Sequence, residues 1–348
     1  MPAQPQIDPV AWIRGLPKAE LHLHLEGTLA PETLVELGRK HDTAPRTLDE
    51  ARSLYQYQDF TGFLLAFKAV TGLLQTPDDY ELATYAMLRS LHQQGVAHAE
   101  VYVSVGVVHY WSKMEFAPLF AGMERGRERG EREFGVSVLW IFDAVRHFGP
   151  EEAARVFQLA ARMRRDHPSI VGIGIGGDER RTGAMPFQGL YREARAQGLR
   201  LTAHAGETVG PEGIWAAINI GAERLGHALS ARMDDELMEV LAEKQIPLEI
   251  CMTSNLRTGC CARMEDHPLR QYFDSGLMVT LNSDDPAMFG SNLCGEYLLA
   301  HRRFGMTLDH LRELAGNSIE ASFLPPGRKL ELLQRIEQYT GPQENGEA

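Results

Sequence analysis

Leu21, Leu23 and Leu25 alternate with His22, His24 and Glu26, and this period of two predicts a β-strand with the leucines on one face and both histidines on the other. A helix would place the two histidines on different faces. Gly27 ends the run, and Pro31-Glu32-Thr33-Leu34 reads as a helix start. Seven more short runs rich in apolar and β-branched residues follow, at 99–104, 136–142, 170–175, 201–203, 224–225, 248–251 and 278–281. Stretches of helical periodicity, such as 153–163, 187–196 and 233–242, lie between most of them, so strand and helix alternate. Eight such units predict an α/β chain folded as one closed (β/α)8 TIM barrel over 1–348.

The segment from Thr28 to Gly95 is too long for one crossover, and Phe60, Phe63, Leu64 and Phe67 recur in it at helical spacing. A helical insertion over about 28–95, after the first strand, is expected. Its aromatic stripe reads either as ordinary core or as a wall over a site built from the βα loops. Leu308, Leu311 and Leu314 share one helical face, Lys329–Tyr339 reads as a closing helix, and the tail 341–348 is expected to fray.

Composition narrows the function. The 348 residues are 44% hydrophobic, enough for a large core. With 35 basic against 47 acidic residues the net charge is -12, which disfavours a broad grip on nucleic acid phosphates and favours a small-molecule partner. No run is long and apolar enough to cross a bilayer, and residues 1–7 show no basic segment leading into an apolar one. Cys251, Cys260, Cys261 and Cys294 form neither a disulfide framework nor a paired CxxC metal motif, so a cytoplasmic protein with reduced thiols is expected. Nothing in the sequence fixes an oligomeric state.

The candidate chemistry falls at run ends: His22 and His24 on the first, His204 on the fifth, His227 on the sixth and Asp284-Asp285 on the eighth. Strand ends and the loops beyond them line the mouth where barrel enzymes work. A single histidine on an apolar face is often a hydrogen-bonded core residue, but this set converges, and imidazole with carboxylate suits zinc or a similar divalent ion.

Residues 16–27, His204-Ala205-Gly206-Glu207, Leu225-Gly226-His227, Thr253-Ser254-Asn255 and Asn282-Ser283-Asp284-Asp285-Pro286 resemble, in order, the adenosine deaminase family of the amidohydrolase barrels. Gly176-Gly177-Asp178-Glu179 and the segment 317–323 are similar to that family too. The resemblance implies hydrolytic deamination of a 6-aminopurine, releasing ammonia and leaving the 6-oxopurine. It implies His22, His24, His204 and Asp284 as ligands of one Zn2+ per chain. A divalent cation held by neutral imidazoles lowers the pKa of a bound water to about 7. The resemblance further implies Glu207 as proton donor to N1 and His227 as the residue that orients the water and shuttles its proton. Asp285 would hydrogen-bond N7, and the Gly177 backbone amide N3. Without the resemblance, Glu207 reads as a loop carboxylate or helix cap and Gly177 as a tight-turn glycine.

Substrate choice rests on the rim. Glu26 stands where adenosine deaminases carry an Asp that meets the sugar hydroxyl, and residues 100–106 lack the Arg and Pro many of them show. Adenine deaminases of the family share His-Leu-Glu-Gly, yet Thr208–Glu212 and Cys251–Asn255 resemble the nucleoside-acting members better. A further branch acts on 6-aminodeoxyfutalosine, an adenosine-like compound with a benzoate tail. Arg146 and His147, past the third strand, are candidates to receive such a carboxylate, although Arg146 reads equally as half of an internal ion pair. The expectation is a nucleoside deaminase for adenosine or 6-aminodeoxyfutalosine. Adenine deaminase is the alternative, and ester or lactone hydrolysis on the same frame is a more remote one. The HxE and PCxxC arrangement of cytidine-deaminase-like enzymes is absent in that context.

Overall fold

The computed structural model describes residues 8–342. Eight strands, β1 (Lys18–His24), β2 (Val96–Val103), β3 (Ser137–Val145), β4 (Ile170–Gly176), β5 (Arg200–Ala205), β6 (Arg224–His227), β7 (Leu248–Ile250) and β8 (Val279–Leu281), pair in parallel in chain order. Helices pack outside them, and the result is a (β/α)8 barrel. The seam between the last strand and the first is closed by a bridge from Leu23 to Asp284. There the His24 amide donates to the Asp284 carbonyl at 2.9 Å and the Asp284 amide to the His22 carbonyl at 3.1 Å. The bonds that close the barrel thus belong to three of the candidate metal ligands.

Every residue of β1, β2 and β4 is buried, as expected of parallel strands covered on both faces. Strand limits differ from the sequence expectation for physical reasons. β2 starts at Val96 because His98 and Glu100, which break the apolar pattern, satisfy each other inside the barrel at 3.3 Å. β6 runs on to His227 through Gly226, a poor strand former that is needed here: a Cβ at that position would lie 2.7 Å from the His22 ring. Two helices start a turn before their apolar stripes, at Pro150 and Pro326, each with proline in its first turn, and the closing helix ends at Glu337, short of Tyr339. Of the tail expected to fray, residues 343–348 lie outside the described range.

Between β1 and β2 stand four helices, Pro31–Lys40, Leu48–Leu54, Phe60–Thr71 and Pro77–Gln93. Capping boxes at Thr47 with Glu50 and at Thr76 with Asp79 fix two of their starts, and the Asp59 side chain caps the third helix through the Gly62 amide. That capped helix turns Phe60, Phe63 and Phe67 toward the barrel mouth, where Phe63 packs on Phe289 with ring centres 5.1 Å apart. The aromatic stripe is therefore core and wall at once. Among the described residues no helix is long and apolar enough to cross a membrane.

Deep in the barrel Arg224 is fully buried, donates from Nε to Glu249 at 2.7 Å and pairs with Glu100. Burial alone pushes the Glu100 carboxyl up, but Arg224 and His98 beside it hold it at about 2. Replacing Arg224 by Met is expected to cost about 3–5 kcal/mol, because it strands two buried carboxylates. Denaturant titration checks this, and an unchanged unfolding midpoint would show that the network adds no stability.

Candidate active site

β1 delivers His22 and His24, β5 delivers His204, and the turn after β8 delivers Asp284. Asp284 Oδ1 lies 3.4 Å from His22 Nε2 and 3.3 Å from His24 Nε2, and His24 Nε2 lies 3.3 Å from His204 Nε2. Donors about 2.0–2.1 Å from a tetrahedral centre stand roughly 3.3–3.4 Å apart, so the spacing fits one zinc-sized cation. His22 Nε2 is buried with no nearer polar partner than Asp284 Oδ1 at 3.4 Å, a long contact that leaves room for a shared cation between them.

The imidazoles are held from behind. His22 Nδ1 meets Glu249 Oε2 at 2.7 Å, and His204 Nδ1 faces the Ile175 carbonyl at 3.1 Å, which turns each Nε2 inward. Ser254 Oγ donates to the second Asp284 oxygen at 2.6 Å. Burial keeps His24 down at about 4 and His204 well below its ordinary range, so both are neutral donors. Burial also pushes His22 down, but the Asp284 and Glu249 carboxylates outweigh it and hold that group at about 10. A cation bound here would displace a proton.

Glu207 sits past Gly206, and the whole turn hangs on one carboxylate. Glu179 accepts from the amides of Gly206 and Glu207 at 2.9 Å and of Thr208 at 3.2 Å. Burial, reinforced by the charges of Asp284 and Glu179, raises Glu207 to about 8, so it is protonated at neutrality. His227 Nε2 stands 3.8 Å from Glu207 Oε2 and 4.0 Å from Asp284 Oδ2, and burial lowers it to about 3. Asn255 Nδ2 reaches both groups, 3.3 Å from Glu207 Oε1 and 3.0 Å from His227 Nδ1. His227 and Asp284 carry φ of 64° and 65°, left-handed values rare outside glycine. Such strain costs about 1–3 kcal/mol per residue and concentrates at functional sites.

Asp285 lines the same pocket with Oδ1 unpartnered, and burial beside Asp284 pushes its carboxyl far above the usual range. Gly177 lines it with φ of 88°, packed so closely on His147 that a Cβ would lie 2.9 Å from the ring. His147 faces the pocket, its Nδ1 accepting from the Asp178 amide at 3.2 Å. Two residues singled out in the sequence stand away from it. Arg146 is 1% exposed and donates to the His204 carbonyl, with Glu179 3.9 Å away, so its guanidinium braces strand ends and is not free for a substrate carboxylate. Glu26 is fully buried, one oxygen accepting from the Ser104 amide at 3.0 Å and the other unpartnered.

Glu249, Glu179 and Asn255 had no role assigned from the sequence, although Glu179 and Asn255 fall in segments that resemble the family and Glu249 is a lone carboxylate in an otherwise apolar strand run.

The chain matches the family model described as adenosine deaminase over residues 17–339. It is 38% identical to an aminodeoxyfutalosine deaminase of Streptomyces avermitilis over 341 residues, covering 97% of this chain and 95% of the relative. The solved adenine deaminase of Arthrobacter aurescens superposes with a TM-score of 0.87 at 31% identity, covering 93% of this chain and 99% of that one. An amidohydrolase from Burkholderia ambifaria with bound Zn gives 0.87 at 26% identity, with coverage of 97% and 95%. Barrel, ligand cluster and sequence agree, and the chain belongs to the adenosine deaminase family, as a hydrolase acting on C–N bonds.

Proposed function

We propose that the protein is a zinc-dependent hydrolytic deaminase of a 6-aminopurine nucleoside, adenosine or the adenosine-like 6-aminodeoxyfutalosine, with one zinc per chain. The observation that carries this reading is the placement of a protonated Glu207 and an unpartnered Asp285 on one pocket with the four-ligand cluster. Ester or lactone hydrolysis has no use for both.

When bound, zinc supplies a water acidic enough to attack carbon near neutrality. Glu207 holds its proton for N1, where electrons collect as C6 is attacked, and so removes the charge from the ring. His227, neutral and facing Glu207 and Asp284 through Nε2, orients the attacking water. The Asn255 amide on Nδ1 governs which tautomer His227 presents. Asp285, kept protonated by burial, donates to N7, an acceptor. The Gly177 amide takes N3. Ammonia leaves and the oxo group stays.

The cleft runs outward from Asp284 and Glu207 to the helix Phe60–Thr71. Its outer wall, built from Phe60, Phe63, Phe67 and Trp111, suits a substrate with an apolar extension, in line with the 38% identical relative. A second reading, adenine deamination, is favoured by the withdrawal of Glu26 from the pocket, which removes the expected sugar contact. Side-by-side kcat/KM values for 6-aminodeoxyfutalosine, adenosine and adenine decide between them. A nucleoside is expected to lead adenine by roughly tenfold or more; the opposite order would overturn the nucleoside reading. The four cysteines are all unpaired, which supports a reducing, cytoplasmic setting.

A further inference from the structure

Asp143, on the inner face of β3, has no role in the chemistry above. Its carboxyl is 5% exposed, lines the pocket, and has Oδ1 without a hydrogen-bond partner. The neighbouring strand is cut back around it: a Cβ on Gly174 would lie 2.9 Å from Asp143 Oδ1, and one on Gly176 2.9 Å from Oδ2. The glycines make room for the carboxyl itself: Oδ1 is enclosed and unpaired beside Thr202 and Tyr102, and the edge of the carboxyl on the pocket wall is open to a ligand.

The order of strands says which part of the ligand. This step rests on the nucleoside reading. Around the barrel mouth, Glu207 after β5 faces N1, Gly177 after β4 faces N3, and Asp285 after β8 faces N7. The purine perimeter runs N1, N3, N9, N7, so the substituent on N9, the sugar, falls toward β3 and β2. Glu26 does not line the pocket, its Oε1 held by the Ser104 amide, and Arg146 is engaged by the His204 carbonyl, which leaves Asp143 as the carboxyl that lines that quarter.

We propose that Asp143 is a sugar-binding residue that hydrogen-bonds the ribose hydroxyl nearest the base, the 2′-hydroxyl, and so selects ribonucleosides over 2′-deoxyribonucleosides. A hydroxyl both donates and accepts, so it serves a carboxyl in either protonation state.

The test compares kcat/KM of wild type, Asp143→Asn and Asp143→Ala on the preferred ribonucleoside, its 2′-deoxy analogue and adenine, with zinc content and Tm followed alongside. Wild type is expected to favour the ribonucleoside over the deoxy analogue by roughly 10- to 100-fold. Asp143→Ala should bring the ribonucleoside down to the deoxy value, mainly through KM, leaving the other two substrates unchanged. Asp143→Asn should fall between. Equal losses on all three substrates, or an undiminished preference for the ribonucleoside, would overturn the proposal. Should the alanine variant not fold, the asparagine variant decides: a reduced ribo-to-deoxy ratio supports the role and an unchanged one refutes it. Wild-type turnover of adenine with none of either nucleoside would instead bring down the nucleoside reading, and this inference with it.

Discussion

Asp284→Ala is expected to lose roughly 10⁴-fold or more in kcat/KM and to purify without its metal. Asp284 is the one carboxylate in the proposed ligand set, with Oδ1 set between His22 Nε2 and His24 Nε2 and Oδ2 fixed by Ser254. Its backbone is anchored as firmly as its side chain, through the two hydrogen bonds that close the barrel at His22 and His24. Removing the carboxylate takes away a ligand and the negative charge that offsets the cation, and leaves three imidazoles facing one another. Alanine at a left-handed φ adds some strain, so the variant's Tm is read beside its rate. Elemental analysis of metal per chain together with steady-state kinetics checks the expectation. A variant that kept its metal and a tenth or so of its activity would remove Asp284 from the ligand set.

Glu207→Gln is the second large effect, roughly 10²- to 10⁴-fold in kcat with zinc retained. Glutamine keeps the shape and the Asn255 contact but has no acidic proton to give N1. The pH profile separates this role from a structural one. In the proposed role Glu207, pushed up to about 8 by burial, acts in its protonated form, so wild-type kcat/KM should fall as pH rises through that value, about tenfold per unit beyond it. The Gln variant, slow at every pH, should lack that limb. A wild-type profile flat past pH 9 or so, or a Gln variant of near-normal rate, would show that the proton on N1 comes from elsewhere.

The barrel was legible because its strands announce themselves twice, as apolar runs and as runs ending in chemistry. His22 and His24 could share a face only on a strand, and that single deduction set the first element and its direction. Strand limits were less legible where function intrudes on propensity. Gly226 looks like the end of a strand because glycine is a poor strand former, yet it extends β6 because the His22 ring needs the room. Asp143 lay one residue past the expected end of β3, since a charge in an apolar run reads as a boundary when it is a side chain facing the site.

The candidate ligands and acid stood out because each is a chemically distinctive residue at a strand end. The support behind them did not, because orientation is a property of space: nothing in the spacing of Glu249 from His22, or of Glu179 from Glu207, says that they touch. Arg146 shows the converse. Its position past β3 left open a free cation for a substrate carboxylate or half of an internal ion pair, and the carbonyl of His204 and the charge of Glu179 engage it.

In the proposed site one cation is held by four side chains from β1, β5 and the turn after β8. An anomalous difference map from crystals of the purified protein, recorded on both sides of the zinc edge, tests it most directly. A single peak within about 2.0–2.2 Å of His22 Nε2, His24 Nε2, His204 Nε2 and Asp284 Oδ1 is the predicted result. A map with no peak there, or with the peak bonded elsewhere and Asp284 left out, would contradict it.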